Sequence, residues 1–226
     1  MTTLLITIVP SLIILSFFFF SDKFKEPKQT IAIVFFLGIL ICLPAGIIND
    51  FMYETFNDGS DFSERLSASF LSAAWSEELL KFIILYFIVL RRNEFNEPMD
   101  GIVYGVTVSL GFATYENYDY VFRLAENWEI DPYQMAIWRS YSAVPMHGLA
   151  GCVMGFYFGM YAFSANKKYL ILCLLIPFII HGFYNFLPYP YHFMVLGILI
   201  VYSIALHSLF KKMQWMKNKE KEIKKV

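Results

Sequence analysis

The sequence predicts an all-α polytopic membrane protein with about seven spanning helices. Three observations support this: an excess of apolar residues, long uninterrupted apolar runs, and loops whose charge alternates in sign. Of 226 residues, 58% are hydrophobic and only 16% charged, whereas soluble domains sit near half apolar with about a quarter charged. The charges gather in short stretches between the apolar runs, as the connections of a membrane bundle do. A net charge of −1 indicates no nucleic-acid or polyanionic partner. Cys42, Cys152 and Cys173 lie inside apolar segments at unrelated spacings, so neither a disulfide framework nor a metal knuckle is indicated. No internal repeat or low-complexity linker divides the chain, and residues 1–226 read as one transmembrane domain.

A helix needs about 20 mostly apolar residues to cross the bilayer core. The segments that qualify are 3–20, 31–49, 66–90, 99–122, 136–163, 169–187 and 191–210. The first has no basic n-region and no small-residue cleavage site, and Lys23, Lys25 and Lys28 follow it, so it reads as a retained helix. Basic residues set the orientation. Lys23, Lys25, Lys28, Arg91, Arg92, Lys167 and Lys168 fall in the first, third and fifth loops, and a basic tail covers 211–226. The second loop holds Asp50, Glu54, Asp58, Asp61 and Glu64, and the fourth holds Glu126, Glu129 and Asp131. Only Arg65, Arg123 and Arg139 flank that side. The expected topology has the N-terminus outside and the C-terminus cytosolic, with the Lys-rich tail (Lys211, Lys212, Lys217, Lys219, Lys221, Lys224, Lys225) at an anionic inner leaflet.

Charges inside spans cost about 2.5–3.5 kcal/mol each on insertion scales, so they face protein or water. The third span carries Trp75-Ser76-Glu77-Glu78-Leu79-Leu80-Lys81. Lys81 lies one turn beyond the pair and can neutralise one carboxylate. The other is left beside a like charge, suited to general acid or base work. Two adjacent carboxylates at mid-helix contribute nothing to folding, which sets this pair apart from a structural feature. In the fourth span Glu116, Asn117 and Tyr120 cluster near one end, with Glu116 and Tyr120 on a shared face. Gly101, Gly105, Ser109 and Ala113 recur there every four residues, and Ala143, His147, Gly151, Gly155 and Gly159 do the same in the fifth span. Such stripes let helices pack closely, and they place His147 on a helix seam. They pack helices within a chain as readily as between chains, so no oligomeric state follows. The sixth span carries His181 and, one turn on, Asn185.

Depth connects these residues. From the outer end of each span, Glu77 and His147 come after roughly 11 residues and Glu116 and His181 after roughly 7, about 10–17 Å down. One water-accessible layer in the outer half of the membrane is expected. Each residue also has a plainer reading. Asp119 reads as solvated and interfacial, Glu116 can serve as a structural hydrogen-bonding group, and a lone histidine can bond between helices.

Taken in order, Glu77-Glu78-x-x-Lys81, Phe112-x-x-x-Glu116-Asn117, His147 and His181-x-x-x-Asn185 resemble the PrsW family of intramembrane proteases. That family is related to the type II CAAX prenyl proteases and to the Aph-1 subunit of γ-secretase. The resemblance covers 66–187, in spans three to six, and implies a catalytic helical core there. It also implies a multi-pass protein of the bacterial cell membrane. The implied reaction is the extracytoplasmic-side, site-1 cut in a single-span membrane protein such as an anti-sigma factor. A second cut would then release an extracytoplasmic-function sigma factor. In this scheme Glu77, Glu78, His147, His181 and Asn185 are catalytic, and Lys81, Glu116, Asn117 and Tyr120 support them.

Two mechanisms stand side by side. In one, Glu77 or Glu78 polarises a water held against His147, and His181 with Asn185 donates to the developing oxyanion. In the other, zinc is bound by candidates among Glu78, Glu116, His147 and His181. The lack of an HExxH motif and the spread of ligands over four helices favour the metal-free route. Alternative functions are a CAAX-type or bacteriocin-processing protease, or a proton-coupled transporter using the buried Glu and His residues. The CAAX branch typically has an arginine where Phe82 stands, and a transporter usually shows a repeat that this chain lacks.

Overall fold

The computed structural model describes residues 1–223, with side chains through Gln214, and among them every regular element is helical. The chain begins with α1 (Thr2–Ser21), α2 (Lys28–Leu40) and α3 (Cys42–Phe56). Next come α4 (Asp61–Leu66), a π-helical stretch (Ser67–Ala74), α5 (Trp75–Phe87) and a short 3-10 turn (Val89–Arg91). Then α6 (Pro98–Asp119) passes through a second π stretch (Tyr120–Leu124) into α7 (Ala125–Asn127). The chain finishes with α8 (Pro132–Tyr141), α9 (Ala143–Ser164), α10 (Lys167–Phe186) and α11 (Tyr191–Ile223).

Prolines set several of these boundaries. A proline removes one N–H and crowds the carbonyl four residues back. Pro44 and Pro145 therefore disturb the helix at Leu40 and Tyr141, where α2 gives way to α3 and α8 to α9. Pro98 and Pro132 open α6 and α8, at positions where the missing N–H has no intrahelical partner anyway. Glu97 and Asp100 close a capping box on α6, and the Asp131 side chain accepts from Gln134 N–H on α8. Between α3 and α4, Asp58 accepts from the Ser60 hydroxyl and N–H, which holds its carboxyl below the usual range.

The seven apolar segments of the sequence are mostly helical, with breaks at Ile41, Ile88 and Ser142. Five helical stretches are long and apolar enough on their own to cross a membrane: Thr2–Ser21, Lys28–Phe56, Pro132–Ser164, Lys167–Phe186 and His192–Gln214. The other two, containing α5 and α6, fall short because they carry the polar residues. Those residues are shielded, since α6 is buried along most of its length. Outside, Leu5, Ile13, Phe17, Phe36, Ile47, Ile171, Ile198 and Val201 are exposed. So large an apolar surface suits lipid and would be a liability in water. In the basic tail, α11 runs on to Ile223. Lys224 and Lys225 lie outside the described residues, as do the side chains of Lys217, Lys219 and Lys221.

The two glycine stripes meet face to face. A Cβ on Gly105 would sit 2.8 Å from the Gly155 Cα, and one on Gly151 would sit 2.6 Å from the Gly105 carbonyl oxygen. Both are closer than side chains can tolerate, so the backbones of α6 and α9 touch. Around this seam Ile102, Val106 and Leu110 pack with Val153, Phe156, Leu199 and Phe210. On the other side of α6, Val108 and Phe112 pack with Val34, Leu85 and Phe158.

Candidate active site

The site begins with the local shape of the third helical rod. A π stretch inserts an extra residue into a helix and rotates everything after it by about 100°. The one at Ser67–Ala74 ends three residues before Glu77, so it selects the face on which the carboxylates emerge. It is held from outside: the Ser72 hydroxyl donates to the Asn49 carbonyl oxygen at 2.8 Å, and the Ser76 hydroxyl bonds the Asn49 side chain. Gly182 of α10 leaves room for the Phe70 ring to pack against it.

With that rotation the paired carboxylates part company. Glu78 is fully buried and points inward, where its Oε1 accepts from Lys81 Nζ at 2.7 Å and from His181 Nδ1–H at 2.9 Å. Glu77 lines a cleft of about 710 Å³ that it shares with His147, His181, Glu116, Tyr120, Arg139 and Asn185. Its Oε2 lies 3.8 Å from Lys81 Nζ and 3.9 Å from His181 Nε2, with no hydrogen-bond partner.

Lys81, also fully buried, donates to His147 Nδ1 at 3.1 Å and sits 4.4 Å above the Phe112 ring. Because Nδ1 accepts, the His147 proton is on Nε2, which donates to Glu116 Oε2 at 3.0 Å. Arg139 completes the chain: it donates to Glu116 Oε2 at 2.5 Å and to Asn117 Oδ1 at 2.9 Å, and stacks 3.8 Å over Tyr120. The two imidazoles meet edge to face, with centroids 5.0 Å apart. Three carboxylates thus face two permanent cations and two histidines, which spreads the charge through one connected network.

Every residue singled out from the sequence lies in or beside this network, in unequal roles. Asn117 is turned from the cleft; its Nδ2 donates to the Thr7 carbonyl oxygen of α1 while its Oδ1 steadies Arg139. Asn185 is exposed on the cleft wall. Arg139 was missed as a site residue, because by sequence it counted only as an outer-side charge. Its position inside an apolar segment, two helical turns before His147, was the available signal.

The grouping of metal-capable donors also differs from the sequence expectation. Glu77, His147 and His181 each offer one atom within 4.8 Å of the other two. Of the four residues put forward as zinc ligands, His147 and His181 are in this trio. Glu78 is instead engaged by Lys81 and His181, and Glu116 by Arg139 and His147. A trio of two histidines and one glutamate suits zinc. Each imidazole is also backed by a carboxylate, Glu78 for His181 and Glu116 for His147, the usual way to hold a metal-binding histidine in one tautomer. The orphaned, buried Glu77 Oε2 fits the same assignment.

A sequence model of the PrsW family of intramembrane metalloproteases matches residues 26–210. Protease PrsW of Geobacillus kaustophilus is 39% identical over 183 residues, covering 80% of this chain and 76% of that protein. Protease PrsW of Bacillus subtilis is 38% identical over 184 residues, 80% of this chain and 79% of the relative. Protease PrsW of Clostridioides difficile is 30% identical over 225 residues, 97% and 93% of the two chains. No solved structure matches. The chain belongs to the PrsW family: it is an intramembrane protease and a multi-pass protein of the bacterial cell membrane.

Proposed function

From its place in the PrsW family, we propose that this protease makes the extracytoplasmic-side cut in a single-span membrane protein, of which an anti-sigma factor is the expected kind. The observation that carries the proposal is the convergence of Glu77, His147 and His181 on one cleft, with Glu77 Oε2 unpartnered there. In the seven-span topology, with the N-terminus outside, residues 66–187 form the catalytic core and the cleft opens outward. The acidic loops between α3 and α4 and around α7 support that direction. Five stretches long and apolar enough to cross on their own, together with α5 and α6, whose polar residues are buried, support seven crossings.

The trio fits zinc, and Glu77, His147 and His181 are the residues that would hold it. A bound zinc ion supplies Lewis acidity to a scissile carbonyl and to an attacking water. Around that centre, Glu78 fixes His181 through Nδ1–H and Glu116 fixes His147 through Nε2–H. Lys81 holds Glu78 in place through its ion pair at 2.7 Å, and Arg139 clamps Glu116 from the cleft rim. Asn185, on the cleft wall one turn beyond His181, donates to the oxyanion. The buried walls limit water at the centre, which strengthens each of these interactions.

One observation favours the second, metal-free reading. Lys81 Nζ already sits 3.1 Å from His147 Nδ1, the nitrogen a metal would need. Glu77 is then the general base for a water held between it and the imidazoles. Purified protein reconstituted with a single-span anti-sigma factor tests both. Loss of cleavage on stripping metal, with recovery on adding zinc, supports the zinc reading, and full cleavage by metal-free enzyme overturns it. An uncut anti-sigma factor alongside cleavage of another single-span protein would overturn the substrate assignment.

A further inference from the structure

A second buried acidic group lies at the far end of α6. Asp100, in the first turn of α6, comes 16 residues before Glu116, which puts it about 24 Å away along the helix. Beside it are Asp22, just after α1, and Glu26, in the connection to α2. One oxygen from each of the three lies within 4.8 Å of the others. Asp100 is 0% exposed, Asp22 2% and Glu26 5%.

The hydrogen bonds of these residues leave oxygens to spare. Asp100 Oδ2 accepts from the N–H groups of Asn96 and Glu97, both at 2.8 Å, Oδ1 has no N–H or O–H donor beside it, and the Asp100 carboxyl lies within hydrogen-bonding reach of the Glu26 carboxyl. Asp22 Oδ1 accepts from Phe24 N–H at 3.1 Å and Gln214 Nε2 at 2.8 Å, while Oδ2 has no partner. Glu26 Oε2 accepts from the Tyr104 hydroxyl. No ion pair among the described residues involves any of the three. The nearby Lys25 spends its ammonium on the backbone oxygens of Phe20 and Asp22. Burying three carboxylates without a counter-charge is prohibitive, so something must neutralise them.

We propose that Asp22, Glu26 and Asp100 form a second cation site, which takes a hard divalent cation such as Ca²⁺ or Mg²⁺. All the donors are oxygens, which suits these ions and disfavours zinc. Oxygens on opposite sides of a Ca²⁺ ion are about 5 Å apart, so the spacing is compatible with a shared ion. The ion would join the end of α1, the α1–α2 connection and the start of α6. Gln214, bonded to both Asp22 and Glu97, extends the clamp to α11.

The test uses the full chain in detergent, stripped with EDTA and desalted. Tb³⁺ binding is followed by luminescence excited through tyrosine, since the Tyr104 hydroxyl touches Glu26, and competed with Ca²⁺ and Mg²⁺. Thermal unfolding is recorded with each ion. The expected result is a sensitised Tb³⁺ site that Ca²⁺ or Mg²⁺ displaces, with a higher Tm in the presence of the displacing ion. Asp22→Asn and Glu26→Gln should each weaken binding at least tenfold, while a Glu77→Gln/His181→Ala double variant should bind as the parent does. Asp100 also caps α6 and is left unchanged. The proposal is overturned if stripped parent protein neither binds nor gains stability, or if binding survives both single variants. It is also overturned if Glu26→Gln raises Tm in protein that ignores the ions, because the cluster is then neutralised by protons.

Discussion

The two ends of α6 each gather three carboxylates and handle the charge in opposite ways. At the Glu116 end, Lys81, Arg139 and two histidines interleave with Glu77, Glu78 and Glu116, and the group opens on a cleft. At the Asp100 end, the described lysines and arginines form no ion pair with Asp22, Glu26 or Asp100. A buried carboxylate with an internal cation can stay ionised and aim a neighbouring imidazole. One without such a partner needs an ion or a proton from outside. The first arrangement suits catalysis, and the second suits a clamp.

The sharpest way to break this comparison is to remove an imidazole. His181→Ala takes one member from the trio and strands Glu78 Oε1 on Lys81 alone; cleavage should fall about 10³-fold or more. Glu78→Gln should cost less, about 10- to 100-fold, because it removes the group that orients His181 and leaves the trio itself intact. Its kcat should fall more than its KM rises. Arg139→Ala frees Glu116 and Asn117 together, and about a tenfold loss of kcat/KM is expected. Arg139→Lys should recover only part of it, since an ammonium cannot bridge both acceptors as the planar guanidinium does. Near-parent activity in all three would mean that the charged network at this end is packing alone.

The smallest effects concern the framework between the two ends. Gly155 of α9 lies against Gly101 and Gly105, where a Cβ would meet Ile102 Cα at 2.7 Å, whereas a Cβ on Gly197 of α11 meets nothing within 4 Å. Gly155→Ala should therefore lower stability by about 1–3 kcal/mol, and Gly197→Ala should raise it by about 0.5–1 kcal/mol. Thermal unfolding of the two variants side by side reads the difference. Equal shifts would show that the α6–α9 seam is looser than its backbone contacts indicate.

Much of the framework was legible because its signals are periodic. Four-residue glycine spacing marked both faces of the α6–α9 seam, and apolar length marked five of the long helical stretches. The site was legible as a set: Glu77, Glu78, Lys81, Glu116, His147 and His181 all fall in one network. Their division of labour was not. Neighbouring positions on an ideal helix cannot say which carboxylate faces the cleft. The π stretch that decides it, Ser67–Ala74, has no period of its own in the sequence. By sequence Arg139 counts only as an outer-side charge, because its bond to Glu116 is made by the fold. The Asp22, Glu26 and Asp100 cluster was invisible for a different reason. Its members are scattered near helix ends, where acidic residues are ordinarily solvated, and only the fold brings them together.

The central claim is that Glu77 works at the cleft while Glu78 works behind it, and cleavage by Glu77→Gln tests this most directly. Parent and variant would be purified in parallel, matched for thermal unfolding, and assayed on the same reconstituted single-span substrate. The account predicts that Glu77→Gln cuts at least about 10³-fold more slowly, a larger loss than Glu78→Gln shows. Cleavage by Glu77→Gln at the parent rate, or a smaller loss than that of Glu78→Gln, would contradict it.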